Sequence, residues 1–267
     1  MCLITMDFKD KVVVIAGATG GMGKAITKQL ANMDCKLSLL ARRIEKLEKI
    51  SKEISSKNSQ CIFKKCDVTK KDDIKEAVEF TKSKFGRIDV AILTSGVLVP
   101  NPIQTFDSEI IKNSMEVNFL GYVFFIEYLL PIMKSQKSGT IVVTSTLPDK
   151  RGVPGWGAYG SSKAAVSWLM DSLRAEAKQK YNINIITIKP GSVLTPMIEG
   201  YHRQGAITPE KAAKLIIKGI IKQKRVIQFP ILQVVGTRLT DLFPLFAYDG
   251  MDIEMMKGDG YPEVKEE

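Results

Sequence analysis

The chain has 267 residues, 45% apolar and 25% charged, with a formal net charge of +10. These proportions suit an ordinary globular protein and exclude a collagen-like or disordered chain, and the length suits one α/β unit better than two complete domains. The basic excess is spread along helix-like stretches, as at Lys46, Lys49, Lys52 and Lys57, with no aromatic-interleaved nucleic-acid module; it reads as solvated faces with a smaller share left for an anionic ligand, and no nucleic-acid partner is expected.

The first ten residues carry acidic side chains and no long apolar run, unlike a secretory signal, so a cytoplasmic location is the expectation. Residues 12–16 are an unbroken aliphatic run leading into Gly17-Ala18-Thr19-Gly20-Gly21-Met22-Gly23. A glycine turn between a buried strand and a helix aims backbone N–H groups outward, and the missing Cβ atoms let a pyrophosphate approach. The spacing is G-x-x-x-G-x-G, not the G-x-G-x-x-G of the other dinucleotide fingerprint. A second run, 37–40, ends in Ala41-Arg42-Arg43, where an adenosine ribose would lie. Arginine there suits a 2′-phosphate, as a carboxylate would suit free ribose hydroxyls, so the residues favour NADP(H). Arg42 is the stronger candidate; Arg43 also reads as the start of a solvated helix.

A third run, 62–63, precedes Cys66-Asp67-Val68. Asp67 and Val68 are placed to meet an adenine ring, or Asp67 caps a helix expected near Thr69 with an acidic first turn at Asp72 and Asp73. Cys2, Cys35, Cys61 and Cys66 form no C-x-x-C pair and His202 is the single histidine, which argues against a zinc site and for reduced thiols, two of them flanking what reads as a buried strand. A fourth run, 90–93, leads into Thr94-Ser95-Gly96. The longest apolar stretch, 119–133, is interrupted by Glu127 and Pro131 and reads as too short to span a bilayer.

A fifth run, 141–143, is followed by Ser145 and Thr146 and then by Tyr159-Gly160-Ser161-Ser162-Lys163. On a helix, four residues place the phenol and the ammonium on one face. A nearby cation draws a tyrosine pKa of about 10 toward the working pH and makes the phenol a usable acid or base. A sixth run, 183–188, reaches Pro190-Gly191; Thr208-Pro209 marks a helix start; a seventh run is 226–229. Residues 231–248 are apolar, and 250–267 read as a loosely ordered tail. Seven strands alternating with helices predict a doubly wound, Rossmann-type parallel sheet with helices on both faces, in one domain over 1–249.

Taken in order, these motifs resemble the short-chain dehydrogenase/reductase family in its compact form, from about residue 9 to 229. The matching pieces are Gly17/Gly21/Gly23, Cys66-Asp67-Val68, Asn118 in Val117-Asn118-Phe119-Leu120-Gly121, Tyr159 with Lys163, and the segment from Pro190 and Gly191 through Ser192, Val193, Leu194 and Thr195 to Met197. The resemblance implies hydride transfer between NADP(H) and a carbonyl or secondary alcohol. Tyr159 would be the acid/base, Lys163 would hold the nicotinamide ribose and acidify Tyr159, and Asn118 would support a water-linked proton path. Val193 and Thr195 would hold the carboxamide, and Thr19, Gly20, Met22, Ser95 and Gly96 would also border the cofactor.

Three positions depart from the family pattern. Thr146 stands thirteen residues before Tyr159, where the family places its catalytic serine, with Ser145 beside it as the other candidate. Leu93-Thr94-Ser95-Gly96 replaces Asn-Asn-Ala-Gly, a mainly structural motif. Gly20 stands where NADP-preferring members often carry a basic residue, which leaves Arg42 as the main phosphate reader. The substrate loop is expected at about 192–208, with Trp156 and residues 147–154 on the other wall and His202 as a surface residue within it. The apolar walls suggest a bulky hydrophobic carbonyl or alcohol. A homodimer or homotetramer through 119–133 and 164–173 is implied. For 231–248, subunit packing ranks first, a pocket lid second and membrane contact third. The alternative class is a nucleotide-binding regulatory or scaffold protein without turnover.

Overall fold

The seven apolar runs become β1 Val12–Ala16, β2 Lys36–Ala41, β3 Gln60–Lys65, β4 Val90–Leu93, β5 Gly139–Thr144, β6 Ile183–Pro190 and β7 Val226–Phe229. A computed structural model describes residues 5–55, 60–199 and 205–250. The strands form one sheet in the order β3-β2-β1-β4-β5-β6-β7, with every neighbouring pair parallel. The chain winds outward from β1 in one direction and from β4 in the other, so the switch point lies between them, where ligands of such sheets bind beyond the strand carboxyl ends.

Alternate strand residues serve opposite faces. Val13, Ile15, Leu37 and Leu39 pack with α1 (Gly21–Leu30), α2 (Ile44–Ile54) and α7 (Pro209–Ile221) through Ile26, Leu30, Leu47, Ile50, Ile216 and Ile220. Val14, Leu40 and Leu93 pack on the other face with α3 (Lys71–Phe85), α5 (Gly121–Gln136) and α6 (Gly157–Tyr181) through Ile74, Phe125, Leu129 and Met170. Both faces are thus closed by aliphatic side chains, as unbroken apolar strands require. β3 departs from the expected buried strand: it is an edge strand, half-buried through its middle and exposed at both ends.

Three local expectations meet different fates. The helix expected near Thr69 begins at Lys71, because Asp67 accepts from both the Thr69 N–H (3.1 Å) and its hydroxyl (2.9 Å) and closes a separate turn first. Thr208 does cap α7, accepting from the Lys211 N–H at 3.3 Å with Pro209 at the first helical position. The apolar stretch at 119–133 is part of a longer helical run, Ser108–Gln136, made of α4 (Ser108–Met115), a π turn at Glu116–Leu120 and α5; by length and composition this run could cross a membrane, which corrects the estimate from 119–133 alone. Its residues Tyr122, Phe125, Ile126, Leu129 and Met133 are buried in the sheet's own core, the position of a core helix in a globular protein.

After β7 come α8 (Ile231–Asp241) and α9 (Leu245–Asp249). The Arg151 guanidinium donates to the backbone carbonyls of Asp241 and Phe243, and the Tyr248 hydroxyl donates to the Gly152 carbonyl at 2.5 Å. The last helices are therefore strapped to the connection between β5 and α6. Their outer stripe of Ile231, Leu232, Val235, Leu239, Leu242 and Phe246 remains exposed. His202 and the tail beyond residue 250 lie outside the described residues.

Candidate functional site

The glycine turn sits at the carboxyl end of β1, and close approach demands its glycines. Gly17 has φ +80°, and a Cβ on it would meet the Ser95 backbone nitrogen at 2.7 Å. A Cβ on Gly23 would stand 2.2 Å from the Gly17 carbonyl oxygen, and one on Gly21 would stand 2.4 Å from the Thr195 methyl. Each figure is below 3.0 Å, so the glycines are demanded by close packing of the turn against the segment after β4 and the loop after β6. Gly20 precedes α1, whose first N–H groups face outward and form the anion site that a pyrophosphate requires. Met22 is half-buried and packs on the core beneath the cradle.

At the end of β2, exposed Arg42 borders a cleft of about 400 Å³ together with Lys64, Lys65, Asp67 and Lys70. Arg43 turns back to the glycine turn, its guanidinium 3.3 Å from the Thr19 hydroxyl and 3.4 Å from the Thr19 carbonyl. Arg43 thus does more than open a solvated helix: it ties the start of α2 to the cradle. For Asp67, burial raises the carboxyl pKa, but the Thr69 hydrogen bonds and the Arg42 charge lower it further, and the net displacement is downward. Val68 is buried beside it, where its backbone carbonyl crowds Gly121.

Helix α6 carries Tyr159 and Lys163 one turn apart, with the Lys163 Nζ 5.8 Å from the Tyr159 ring centre and 5.1 Å from that of Tyr122. The ammonium is buried and donates to the Thr144 carbonyl at 2.9 Å. Its other two protons meet no protein acceptor among the described residues. Burial pushes its pKa down to about 7. Asn118, fully buried in the π turn, donates to the Val97 carbonyl (3.0 Å) and the Ser162 hydroxyl (3.0 Å), and accepts from the Val97 N–H (2.8 Å). The π turn adds a residue to the helical repeat and so rotates Asn118 inward, a device common at functional sites. Gly96 floors this corner: a Cβ there would meet the Asn118 side-chain oxygen at 3.1 Å and the Lys163 Nζ at 3.6 Å.

The depressed Lys163 pKa has a measurable effect on stability. The unfolded lysine binds its proton up to about pH 10.4, whereas the folded one releases it near 7. The unfolded state then holds more protons across that interval, so the Lys163 contribution to stability rises with pH and is lost as pH falls toward 7. Between pH 7 and 9 the gain is roughly 2 kcal/mol. Urea unfolding of wild type and Lys163→Met at both pH values should show the wild type gaining by about that amount relative to the variant; parallel curves would show that the ammonium is not buried.

The two upstream hydroxyls differ in their commitments. Ser145 is fully buried, its hydroxyl 2.9 Å from the Lys163 carbonyl and 2.7 Å from the Ser167 hydroxyl. The Thr146 hydroxyl makes no hydrogen bond to another described residue. Ser145 therefore supports α6 from behind, and Thr146 has the uncommitted hydroxyl. In the altered segment after β4, the Thr94 hydroxyl donates to the Ala16 carbonyl at 2.8 Å, and the Ser95 carbonyl accepts from the Tyr122 hydroxyl. The segment is thus held by polar bonds of its own to β1 and α5.

Beyond β6, Gly191 donates to the Phe229 carbonyl at 2.7 Å, and the Pro190 carbonyl accepts from the Leu147 N–H at 3.0 Å. Val193 is buried and bridges to Ile207. Thr195, as noted, lies against Gly21. The predicted cofactor and catalytic positions accordingly gather at the carboxyl end of the sheet around β1, β4, β5 and β6. Trp156 and Leu147 are buried at the start of α6 and the end of β5, while residues 200–204 of the expected substrate loop lie outside the described set. Sequence reasoning passed over Tyr122, whose ring stacks under Lys163, Gln233, whose side-chain oxygen accepts from the Ser192 N–H at 2.7 Å, and the buried pair Asp149 and Lys189. Tyr122 lies four residues beyond Asn118 and was legible as its same-face neighbour; nothing in the pattern announces the other three. Among the described residues no group of three His, Cys, Asp or Glu could hold a metal ion.

A family model described as short chain dehydrogenase matches residues 11–205. An uncharacterized oxidoreductase of Listeria monocytogenes is 35% identical over 228 residues, spanning 80% of this chain and 92% of its own length. A protein named 11-beta-hydroxysteroid dehydrogenase A, from Sesamum indicum, is 27% identical, spanning 85% of this chain and 70% of its own length. Among solved structures, an alcohol dehydrogenase from the archaeon Thermococcus sibiricus, complexed with 5-hydroxy-NADP, superposes with a TM-score of 0.75 at 26% identity over 83% of this chain and 95% of that one. A short chain dehydrogenase/reductase from Burkholderia phymatum, in complex with NAD, shares the fold with a TM-score of 0.82 at 20% identity over 96% of this chain and 99% of that one. The matched region holds the glycine cradle, the Tyr159/Lys163 turn and Thr195 together, and on that basis the chain belongs to the short-chain dehydrogenase family of oxidoreductases.

Proposed function

We propose that this protein is an NADP(H)-dependent oxidoreductase that interconverts a carbonyl and a secondary alcohol on a hydrophobic substrate. The observation that carries the reading is the corner formed by Tyr159, Lys163 and Asn118, floored by Gly96 and opening beside the glycine turn. The bare glycine backbone fits a pyrophosphate, and the two Lys163 protons that no described residue accepts fit ribose hydroxyls. Bound NADP(H) would supply or accept the hydride.

The protein's own residues do the rest. Tyr159 gives its phenolic proton to the carbonyl oxygen as the alcohol forms, or removes it in the reverse direction. Lys163 favours the phenolate left behind and holds the ribose. Thr146 donates to the carbonyl oxygen and stabilises charge developing there. Asn118 fixes the Val97 backbone and Ser162 beneath Tyr159, next to the path by which the proton is replaced. Arg42, with Lys65 and Lys70 in the lining of the same cleft, meets the 2′-phosphate. Leu194 and Met197, both exposed at the mouth, offer apolar surface to the substrate. The exposed stripe on α8 and α9 is read as a subunit-packing surface in a homo-oligomer, and the chain as cytoplasmic.

The test is a homologous series of straight-chain 2-ketones with NADPH and, separately, NADH, following nicotinamide absorbance. Each buried methylene is worth about 0.8 kcal/mol, so kcat/KM should rise about two- to fourfold per carbon until the pocket is filled, with NADPH preferred. A flat series would remove the hydrophobic substrate, and nucleotide binding without any oxidation would instead support the regulatory alternative.

A further inference from the structure

The Thr146 side chain has no bond to another described residue, yet its backbone is bracketed. The Ser145 N–H donates to the Ile188 carbonyl at 2.8 Å and the Leu147 N–H to the Pro190 carbonyl at 3.0 Å, so Thr146 projects between two rungs of β6. The residue of β6 between those rungs is Lys189. Three residues past Thr146, Asp149 folds back, its N–H donating to the Leu147 carbonyl at 2.9 Å, and its carboxylate pairs with the Lys189 ammonium. The same carboxylate accepts from the Ser167 hydroxyl, one turn beyond Lys163 on α6. Asp149 is 5% exposed and Lys189 12%, so the pair is almost wholly withdrawn from water.

Counting protons fixes the direction of this network. A carboxylate only accepts, so the single Ser167 hydroxyl proton goes to Asp149. The Ser145 proton must then serve Ser167 or the Lys163 carbonyl, both within reach. A chain of polar contacts therefore runs from the backbone of Lys163 through Ser145 and Ser167 to Asp149 and on to Lys189. One carboxylate thus joins the segment bearing Thr146, the helix bearing Tyr159 and Lys163, and the strand that enters Pro190-Gly191. Buried ion pairs add little net stability compared with apolar packing, but they hold geometry tightly and are costly to half-remove.

We propose that Asp149 is a positioning residue for the carbonyl-reducing reaction: its buried carboxylate, clasped to Lys189 and Ser167, sets the place of the Thr146 hydroxyl relative to Tyr159. The inference rests on the reading given under Proposed function. Asp149→Asn keeps the shape and an acceptor for Ser167 but drops the charge that holds Lys189. It should lower kcat for the best 2-ketone of the series by about 10- to 100-fold, the range expected for a misplaced catalytic group, while the NADPH Kd stays within about threefold of wild type. Asp149→Leu with Lys189→Met replaces the pair by apolar groups; it should recover the Tm of wild type and leave kcat low.

The deciding measurement is the double-mutant cycle with Thr146→Val. If Asp149 acts through Thr146, adding Asp149→Asn to Thr146→Val should cost less than about threefold further in kcat. An equal cost in both backgrounds, or recovery of kcat together with Tm in the apolar double variant, would overturn the assignment and leave the pair a purely structural clasp. Wild type inert on every ketone would overturn the proposed function and this inference with it; an active wild type with Asp149→Asn within twofold of it would overturn this inference alone.

Discussion

Tyr159→Phe is expected to lose kcat by about 10³-fold with its NADPH affinity unchanged, because the substitution removes one oxygen and nothing else. The phenylalanine ring fits the tyrosine site on α6, and Lys163 keeps its bond to the Thr144 carbonyl and its position over Tyr122. Cofactor binding as proposed rests on the glycine turn at Gly17, Gly21 and Gly23, on Arg42 and on Lys163, none of which the substitution alters. General acid–base groups contribute typically about 10² to 10⁴ in rate, and here the hydroxyls of Tyr122 and Ser162 are already spent, on the Ser95 carbonyl and on the Tyr159 carbonyl at 2.7 Å, while the Thr146 hydroxyl has no cation beside it among the described residues to make it an acid of comparable strength. Stopped-flow reduction of the best 2-ketone, with NADPH titrated by fluorescence in parallel, separates the two quantities. Turnover within tenfold of wild type would assign proton transfer to another group.

How much of this site is readable from residue order depends on the range of the interaction. Tyr159 and Lys163 are four apart on one helix, and helical geometry alone puts them on one face. The glycine turn is equally local, since a strand, a bare backbone and a helix start follow one another within a dozen residues. The strand count survived because each strand buries aliphatic side chains that leave a run in the sequence, and β3 was misjudged only in its burial, because an edge position is a property of the finished sheet. The start of α3 was misplaced by two residues, since Asp67 bonds to Thr69 in a turn that competes with capping. Asp149 and Lys189 are forty residues apart and become partners only when β5 and β6 pair in register, Val143 with Thr187 and Thr144 with Ile188. The hydrogen-bond commitments of Ser145 were likewise out of reach, because its partners, Ser167 and the Lys163 carbonyl, meet it only in the folded chain. The segment after β4 shows the reverse case: its residue types differ from the family pattern, yet Thr94 and Ser95 are tied down, to the Ala16 carbonyl and the Tyr122 hydroxyl.

The second large effect is expected in cofactor choice. Arg42→Asp should reverse a preference for NADPH into one for NADH, with the ratio of the two kcat/KM values changing by about 10³-fold. Arg42 stands exposed at the end of β2, beside the cleft that it shares with Lys65, Asp67 and Lys70, whereas Arg43 is already engaged with Thr19. A charge-assisted bond from a guanidinium to a phosphate is worth about 1.5–3 kcal/mol, or roughly 10- to 100-fold. The introduced carboxylate adds repulsion of the 2′-phosphate, and against NADH it can accept from a ribose hydroxyl, so the two changes act in opposite directions on the two cofactors. Because Arg42 is solvent-exposed, the phosphate contribution is screened by salt. The wild-type preference for NADPH should therefore shrink several-fold between low and high ionic strength, while the NADH rates of both proteins stay nearly flat. Arg42→Ala separates the two contributions, since it removes the cation without adding an anion, and should fall between wild type and Arg42→Asp. Equal kcat/KM values for NADPH and NADH in the wild type would remove the phosphate-reading role of Arg42 altogether. A preference that survived Arg42→Asp unchanged would transfer that role to the lysines lining the same cleft, Lys65 and Lys70.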